Sequence, residues 1–184
     1  MDEDQQAIKD CQLGKTESYR ILVDKYKTRA YYAALLITGN RDDALDLSQE
    51  AFYKAFRAIK TFQTGKNFYT WLYKILKNLC INHYKRIKRR NIVFTDADES
   101  EGASLYLSSA PNPAEVFEIN EMRDILWKGL MDLKKDDREI IILKEFNEMS
   151  YKEIADVLSI PVGSVMSRLY YARKKLAKIL GDLK

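Results

Sequence analysis

The segment Ser150–Leu180, SYKEIADVLSIPVGSVMSRLYYARKKLAKIL, decides how the chain is read. Ser150 can cap a helix, and Glu153, three residues on, can return the bond as the second half of a capping box. Ile154, Val157 and Leu158 then give that short helix one apolar face. Ser159 and Ile160 make a tight turn, and Pro161 suits the first position of a second helix, where its missing N–H would be unpaired in any case. That second helix carries Val165, Leu169, Ala172, Leu176 and Leu180 inward. It turns Ser164, Ser167, Arg168, Tyr171, Arg173 and Lys174 largely outward. Two helices joined so tightly, the second basic with small polar residues near its start, make a helix-turn-helix of the kind that enters a DNA major groove. A plain helical hairpin with a solvated basic face fits the periodicity equally well. Gly163 and Ser164 at the helix start, where a backbone must come close, favour DNA.

Working outward from this segment, charge is distributed very unevenly around a net value of only +4. Residues 52–90 hold eleven Lys or Arg and no acid; residues 91–121 hold seven acids and no Lys or Arg. From Val162 onward, six basic residues face Asp182 alone. Two basic blocks around an acidic one describe two candidate polyanion-binding surfaces. A solvated helix face explains a single charge run, but sits less well with 39 residues lacking any acid. Cys11 and Cys80 lie far apart, with only His83 as a helper, which argues against a metal site or a disulfide framework. No charged-then-apolar leader is seen, and no apolar run nears the roughly 18 residues a membrane span needs. The expectation is a cytoplasmic protein with no membrane insertion, no metal and no cofactor.

Helical signals run almost throughout the 184 residues, so the fold class expected is all-α. Glu17–Ile37 carries the stripe Tyr19, Leu22, Val23, Tyr26, Ala30, Ala33, Ala34; Gly39-Asn40 ends it, and Asn40 can cap Arg41–Ile59. A glycine-containing loop, Phe62–Lys66, precedes a long helix from Asn67 to about Arg89. Asn112, Pro113 and Glu115 repeat the start signals for a helix reaching about Met131, and another spans Asp136–Phe146. Between Asn91 and Pro111 the periodicity vanishes among Asp, Ser, Gly, Ala and Pro. The chain thus reads as two small helical domains, 1–91 and 112–184, joined by a flexible acidic linker at 92–111. Each can just support a core of its own.

Two further motifs carry chemistry. Asp43, Asp46 and Glu50 stand at helical spacing in RDDALDLSQEAFYKAF. They can be a solvated acidic face, a docking surface for a basic partner, or metal ligands or an acid–base pair; the last ranks lowest because nothing supplies the remaining ligands. On the next helix, Phe68, Trp71, Leu72, Ile75 and Leu79 share a broad face and read as core. Tyr69 and Tyr73, with Lys74, Lys77, Asn78 and Asn82 nearby, offer aromatic, amide and cationic groups suited to stacking on unpaired bases.

Taken together, DALDLSQEAFYKAF, NFYTWLYKILKN with its basic continuation, and LSYKEIADVLSIPVGSVMSRLYYARKKL resemble bacterial RNA polymerase sigma factors of the sigma-70 family, in the small extracytoplasmic-function (ECF) group. Three ordered motifs are far more specific than a helix-turn-helix alone, and only the linker lies outside the likeness. The resemblance implies a factor that binds core RNA polymerase, directs it to promoter DNA and promotes opening, with no catalysis of its own. It implies that Asp43, Asp46, Gln49 and Glu50 dock the clamp helices of the largest subunit, with the flap of the second-largest as a further partner. Phe62, Gln63, Lys66 and Asn67 in the loop would read and open the minus-10 element, with Tyr73, Lys74, Lys77, Asn78, Asn82, Lys85 and Arg86 on the helix. Pro161, Val162, Gly163, Ser164, Ser167, Arg168, Tyr171, Arg173 and Lys174 would read the minus-35 element. An anti-sigma factor is expected, and an obligate homo-oligomer is not. By the same likeness the acidic linker would thread the polymerase's basic RNA path, although composition fits a disordered tether equally well.

The sequence also departs from the pattern. Leu45 and Ser48 stand where the family usually has an acid and an aliphatic residue, and Asn82 where an aspartate is common. Met166 and Tyr171 replace frequent basic residues in the last helix. Two other classes compete: a helix-turn-helix regulator acting on duplex DNA without polymerase, and a metal-dependent nucleic-acid enzyme built on Asp43, Asp46 and Glu50.

Overall fold

The computed structural model describes residues 3–94 and 124–182. All elements among them are helical. The chain folds as two compact units that divide within the acidic stretch. The helix start at Asn112, Pro113 and Glu115, and the linker from residue 95 onward, lie outside the described residues.

The first unit opens with a helix that the sequence pattern did not announce, α1 (Glu3–Gln12), which buries Asp4, Ala7, Ile8 and Cys11. A short 3-10 turn at Thr16–Ser18 leads into α2 (Tyr19–Thr38), which buries the expected stripe except the half-buried Val23, and adds Leu35 and Leu36. Gly39 ends α2 in the left-handed region (φ 72°), its N–H bonded to the Leu35 carbonyl at 2.8 Å. Asn40 then caps α3 (Arg41–Ala58) through the Asp43 N–H at 3.0 Å. Ala44, Ala51 and Ala55, fully buried, allow α3 to lie close against its neighbours. Asn67 caps α4 (Phe68–Phe94) as expected, accepting from the Thr70 N–H at 2.9 Å. The helix outruns its expected end at Arg89 and takes in the first three residues assigned to the linker.

The core of this unit is aromatic. Tyr19, Tyr26, Phe62, Phe68, Tyr69 and Trp71 form a chain of tilted, edge-on and stacked rings with centroids 5.0–6.3 Å apart. The Tyr19 hydroxyl donates to the Phe52 carbonyl at 2.8 Å. This arrangement corrects the reading of α4. Tyr69 and Tyr73 are 2% and 0% exposed, and Trp71 and Ile75 are the half-buried ones. The inward face is rotated because α4 packs against both α2 and α3, so a wider arc of its surface is covered.

The second unit holds α5 (described over 124–132), α6 (Lys135–Ile141), α7 (Tyr151–Leu158) and α8 (Val162–Asp182). Arg138 donates to the Met131 and Leu133 carbonyls at 2.6 and 3.1 Å, satisfying the exposed end of α5. A π turn over Ile142–Phe146 continues α6, and Ile140–Leu143 are buried in succession. The capping box forms as read: Ser150 accepts from the Glu153 N–H, and the Glu153 carboxylate accepts from the Ser150 N–H at 2.8 Å. Ser159 takes the left-handed conformation (φ 54°, ψ 46°) to turn the chain. Pro161 is one position earlier than expected. Its carbonyl accepts from Ser164 and Val165 at 2.9 and 3.2 Å, so it caps α8 and Val162 is the first helical residue. Val165, Leu169 and Ala172 seal the helix to the core. A Cβ on Gly129 would meet Leu180 at 2.8 Å, so α5 and α8 approach through a glycine.

Candidate nucleic-acid and partner interfaces

In the first unit, the acids of α3 gather on its first three turns, whereas α4 carries no acid at all. On α3, Asp46, Gln49 and Glu50 are exposed, and Glu50 pairs with Lys54 one turn on at 2.9 Å. Asp43 differs from them. Its carboxylate lies 3.1 Å from His83 Nε2, so it faces α4 as well as lining the acidic face. Leu45 is 48% exposed where an acid was expected, whereas Ser48 is buried and donates to the Leu45 carbonyl at 2.9 Å. Leu45 and Gln49 border a groove of about 550 Å³ between α2 and α3 that also takes in Tyr31, Tyr32 and Phe52. A second hollow of about 720 Å³ continues it past Tyr19, Tyr53 and Phe56. An acidic ridge beside an apolar groove can receive a helix that carries both basic and apolar groups.

The opposite character belongs to α4. Lys74, Asn78, Asn82 and Lys85 recur at helical spacing and are exposed, with Arg86 beside them and Lys77 half-buried. Beyond Cys80 the helix buries no described side chain, and residues 84–89 are exposed without interruption. Of the loop residues, Gln63, Lys66 and Asn67 are exposed, although the Asn67 side chain is committed to capping. Phe62 and Tyr73 leave the expected set. Phe62 is 6% exposed with its ring 5.0 Å from Trp71, and Tyr73 is wholly enclosed, so neither ring can stack on a base without leaving the core. Tyr84, 63% exposed among the basic residues, is an aromatic group that periodicity overlooked. Its signal was a ring flanked by His83 and Lys85 within a run of basic residues.

In the second unit, Pro161, Gly163, Ser167, Arg168, Tyr171, Arg173 and Lys174 are exposed as expected, while Val162 and Ser164 are half-buried. A Cβ on Gly163 would touch nothing within 4 Å, so packing does not require this glycine. A glycine inside a helix costs up to about 1 kcal/mol relative to alanine. That cost fits a site where another molecule must approach the backbone closely. Arg173 is engaged by Glu145, its Nε donating at 2.9 Å, and Lys175 pairs with Asp137. Both flanks of α8 are thus tied to the α6 segment, and Ser167, Lys174 and Lys178 lie along the outer ridge. Tyr170, 63% exposed and edge-on to Tyr171, also belongs to this ridge; helical spacing alone does not separate it from its neighbour.

Each of the two units contains a match to a known family. Residues 22–90 match the family model described as Sigma-70 region 2, and residues 123–176 match Sigma-70, region 4. The chain is 31% identical to the ECF RNA polymerase sigma factor SigW of Bacillus subtilis, over 96% of each chain. It is 33% identical to the RNA polymerase sigma-H factor of Pseudomonas aeruginosa, over 99% of this chain and 96% of that one. Two solved structures share the fold at a TM-score of 0.71. One is CnrH in complex with the cytosolic domain of CnrY, 24% identical over 98% of this chain and 99% of that one. The other is the sigma factor RpoE in complex with the anti-sigma factor NepR from Bartonella quintana, 23% identical over 90% and 98%. The chain belongs to the sigma-70 family, in its ECF group. It is an RNA polymerase sigma factor, a transcription initiation factor that brings core polymerase to promoters and helps open them. Among the described residues, no group of three His, Cys, Asp or Glu is placed to hold a metal, and no helix is long and apolar enough to cross a membrane.

Proposed function

We propose that this sigma factor divides its work among three surfaces. The acidic ridge of α3, with Asp46, Gln49 and Glu50 beside the apolar groove, docks the clamp helices of the largest polymerase subunit. The loop Gln63–Asn67 and the stripe Lys74, Asn78, Asn82, Lys85 and Arg86 meet the minus-10 element. The ridge of α8, from Gly163 through Ser167 and Arg168 to Lys174, meets the minus-35 element, and the second unit also engages the flap of the second-largest subunit. The observation that carries this reading is the segregation of charge within one small unit. Acids and apolar groups are exposed on the first turns of α3, with Lys54 and Arg57 confined to its end, while α4 exposes cations and amides and no acid, so one domain can hold a protein and a polyanion at once.

Opening requires no bond chemistry from the chain. Unstacking a base costs a few kcal/mol, and binding of the exposed base and its backbone to the protein offsets that cost. The polymerase performs nucleotidyl transfer, and the sigma factor acts beside it in the cytoplasm, without forming an obligate homo-oligomer. An anti-sigma factor is part of the same reading; the RpoE of Bartonella quintana was solved with one. The decisive test is in vitro transcription with core polymerase and a promoter library. Transcripts that start at defined promoters only when the chain is added support the reading. Duplex half-site binding without polymerase, and no rise in promoter-specific transcription, would instead mark a stand-alone regulator.

A further inference from the structure

We propose that α1 is the positioning element of the loop between α3 and α4, with Gln5 and Gln12 setting the conformation in which that loop meets the minus-10 bases. This rests on the reading of the loop given above. Residues 63–67 are all exposed, and Gly65 lies at φ +90°, so neither burial nor side-chain packing selects the shape of the loop. Within it, Lys66 N–H to the Gln63 carbonyl is a long bond of 3.3 Å. Asn67 is held by its cap on Thr70, and Gly65 and Lys66 are held from α1. Gln5 Oε1 accepts from the Gly65 N–H at 2.7 Å, and its Nε2 donates to the Lys66 carbonyl at 3.0 Å. Two turns along the same helix, Gln12 Nε2 donates to the carbonyls of Ile59 and Phe62 at 3.0 and 2.9 Å.

The chemistry of these contacts is specific. A primary amide offers one acceptor and two donor hydrogens. Gln5 uses both kinds on the Thr64–Gly65 and Lys66–Asn67 peptide groups, and so holds the two peptides that flank the Gly65–Lys66 bond. Gln12 directs its donors to the start of the loop. Positions 5 and 12 are seven residues apart and share a helix face with Ile8, so one rigid edge addresses both ends of the loop. That edge is itself anchored. Ile8 and Cys11 are buried, and Asp4, 5% exposed, accepts from the Tyr26 hydroxyl and from Lys25 Nζ at 2.6 Å. The apolar face already attaches α1 to the unit. The Gln5 bonds to the exposed loop add nothing to that burial and serve its shape, while those of Gln12 hold the buried residues from which it starts.

The test uses the full chain assembled with core polymerase. Single-stranded minus-10 oligonucleotides carrying each base at each position are titrated against the unsubstituted protein and against Gln5→Ala, Gln12→Ala and Gln5→Glu. Core affinity and melting temperature are measured alongside. Gln5→Ala is expected to compress the preference for the best base over the worst by roughly three- to tenfold, the range that losing one or two modest hydrogen bonds produces. Core affinity should be unchanged. Gln5→Glu, which keeps the acceptor for the Gly65 N–H, should fall between the two, and exchange of the Gly65 amide should quicken in Gln5→Ala. An unaltered base profile in Gln5→Ala overturns the inference, as does a uniform loss across all bases that follows a drop in melting temperature. Replacement of Gln63–Asn67 by glycine and serine separates the two readings. If it changes the profile while Gln5→Ala does not, only the role of α1 fails; if neither does, the loop is not the reader.

Discussion

Tyr19, Tyr26 and Tyr69 sit with their hydroxyls in the core of the first unit, and burial pushes all three up from the ordinary tyrosine value. For Tyr26, burial and the hydrogen bond to Asp4 push it up to about 12. An unfolded tyrosine ionises near 10, so between there and about 12 the unfolded chain sheds protons that the folded one keeps. The stability these groups contribute is complete below pH 10 and is lost as the pH climbs toward 12. Thermal melts across that window, followed by circular dichroism and tyrosinate absorbance, should show a cooperative loss that Tyr26→Phe lessens; a flat profile would contradict the sign. At the same scale, the proposed role of α8 implies a separation of base contacts from phosphate contacts. Arg168 lies in the first two turns, the part of a recognition helix that reaches base edges. Arg168→Ala should cost about 1–3 kcal/mol and relax preference at one or two base pairs. Lys174→Ala should weaken binding to every sequence alike and make the salt dependence shallower by about one counterion. Titration of minus-35 duplex variants at several salt concentrations distinguishes them, and a change of preferred base in Lys174→Ala would refute the division.

Among the elements, α4 does two jobs along one axis. Its first three turns are core, through Phe68, Leu72, Tyr73 and Leu76, and its last turns carry cations outward. Asn78 is exposed where these regimes meet, one turn from both Lys74 and Asn82. Asn78→Ala should leave the stability within about 0.5 kcal/mol of the parent, as exposed substitutions generally do. It should nonetheless slow open-complex formation on duplex promoters, and a template with a pre-opened bubble should restore part of the rate. Permanganate reactivity of unpaired thymines is the readout, and normal reactivity would remove Asn78 from the mechanism. The helices of the second unit were legible because their boundaries are written in local chemistry: Ser150 with Glu153, Ser159 with Pro161. In α1 the buried set Asp4, Ala7, Ile8 and Cys11 has helical spacing but includes a carboxylate and two small residues, so the apolar stripe is faint. Its burial depends on Lys25 and Tyr26, which are distant in sequence.

For the whole molecule, the proposed docking ridge of α3 makes a prediction about the assembly with core polymerase. Asp46→Arg and Glu50→Arg should each lower affinity for core polymerase by about tenfold or more, the scale of opposed charges at a complementary interface. The fold should hold, since exposed ion pairs contribute only ~0–1 kcal/mol to stability. Fluorescence titration with core enzyme checks this, and unchanged affinity in both variants would displace the interface from α3. Asp43→Arg belongs in the same series as a contrast, because its carboxylate also faces His83 and reversal should disturb the join of α3 to α4.

By itself the sequence determined the all-helical class, the sigma-factor family, the helix-turn-helix with its caps, and the separation of charge, because each is encoded over a few neighbouring residues or over composition. Only the tertiary structure decided which side of α4 faces the core. The same period-3.6 pattern accommodates Tyr69 and Tyr73 outside or inside, and it is the approach of both α2 and α3 that encloses them. Only the tertiary structure drew Asp43 toward His83, engaged Arg173 with Glu145, and placed Gln5 and Gln12 against a loop some fifty to sixty residues away. Such pairings connect polar groups across long sequence distances. No local periodicity records them; they exist only once hydrophobic burial has brought their helices together.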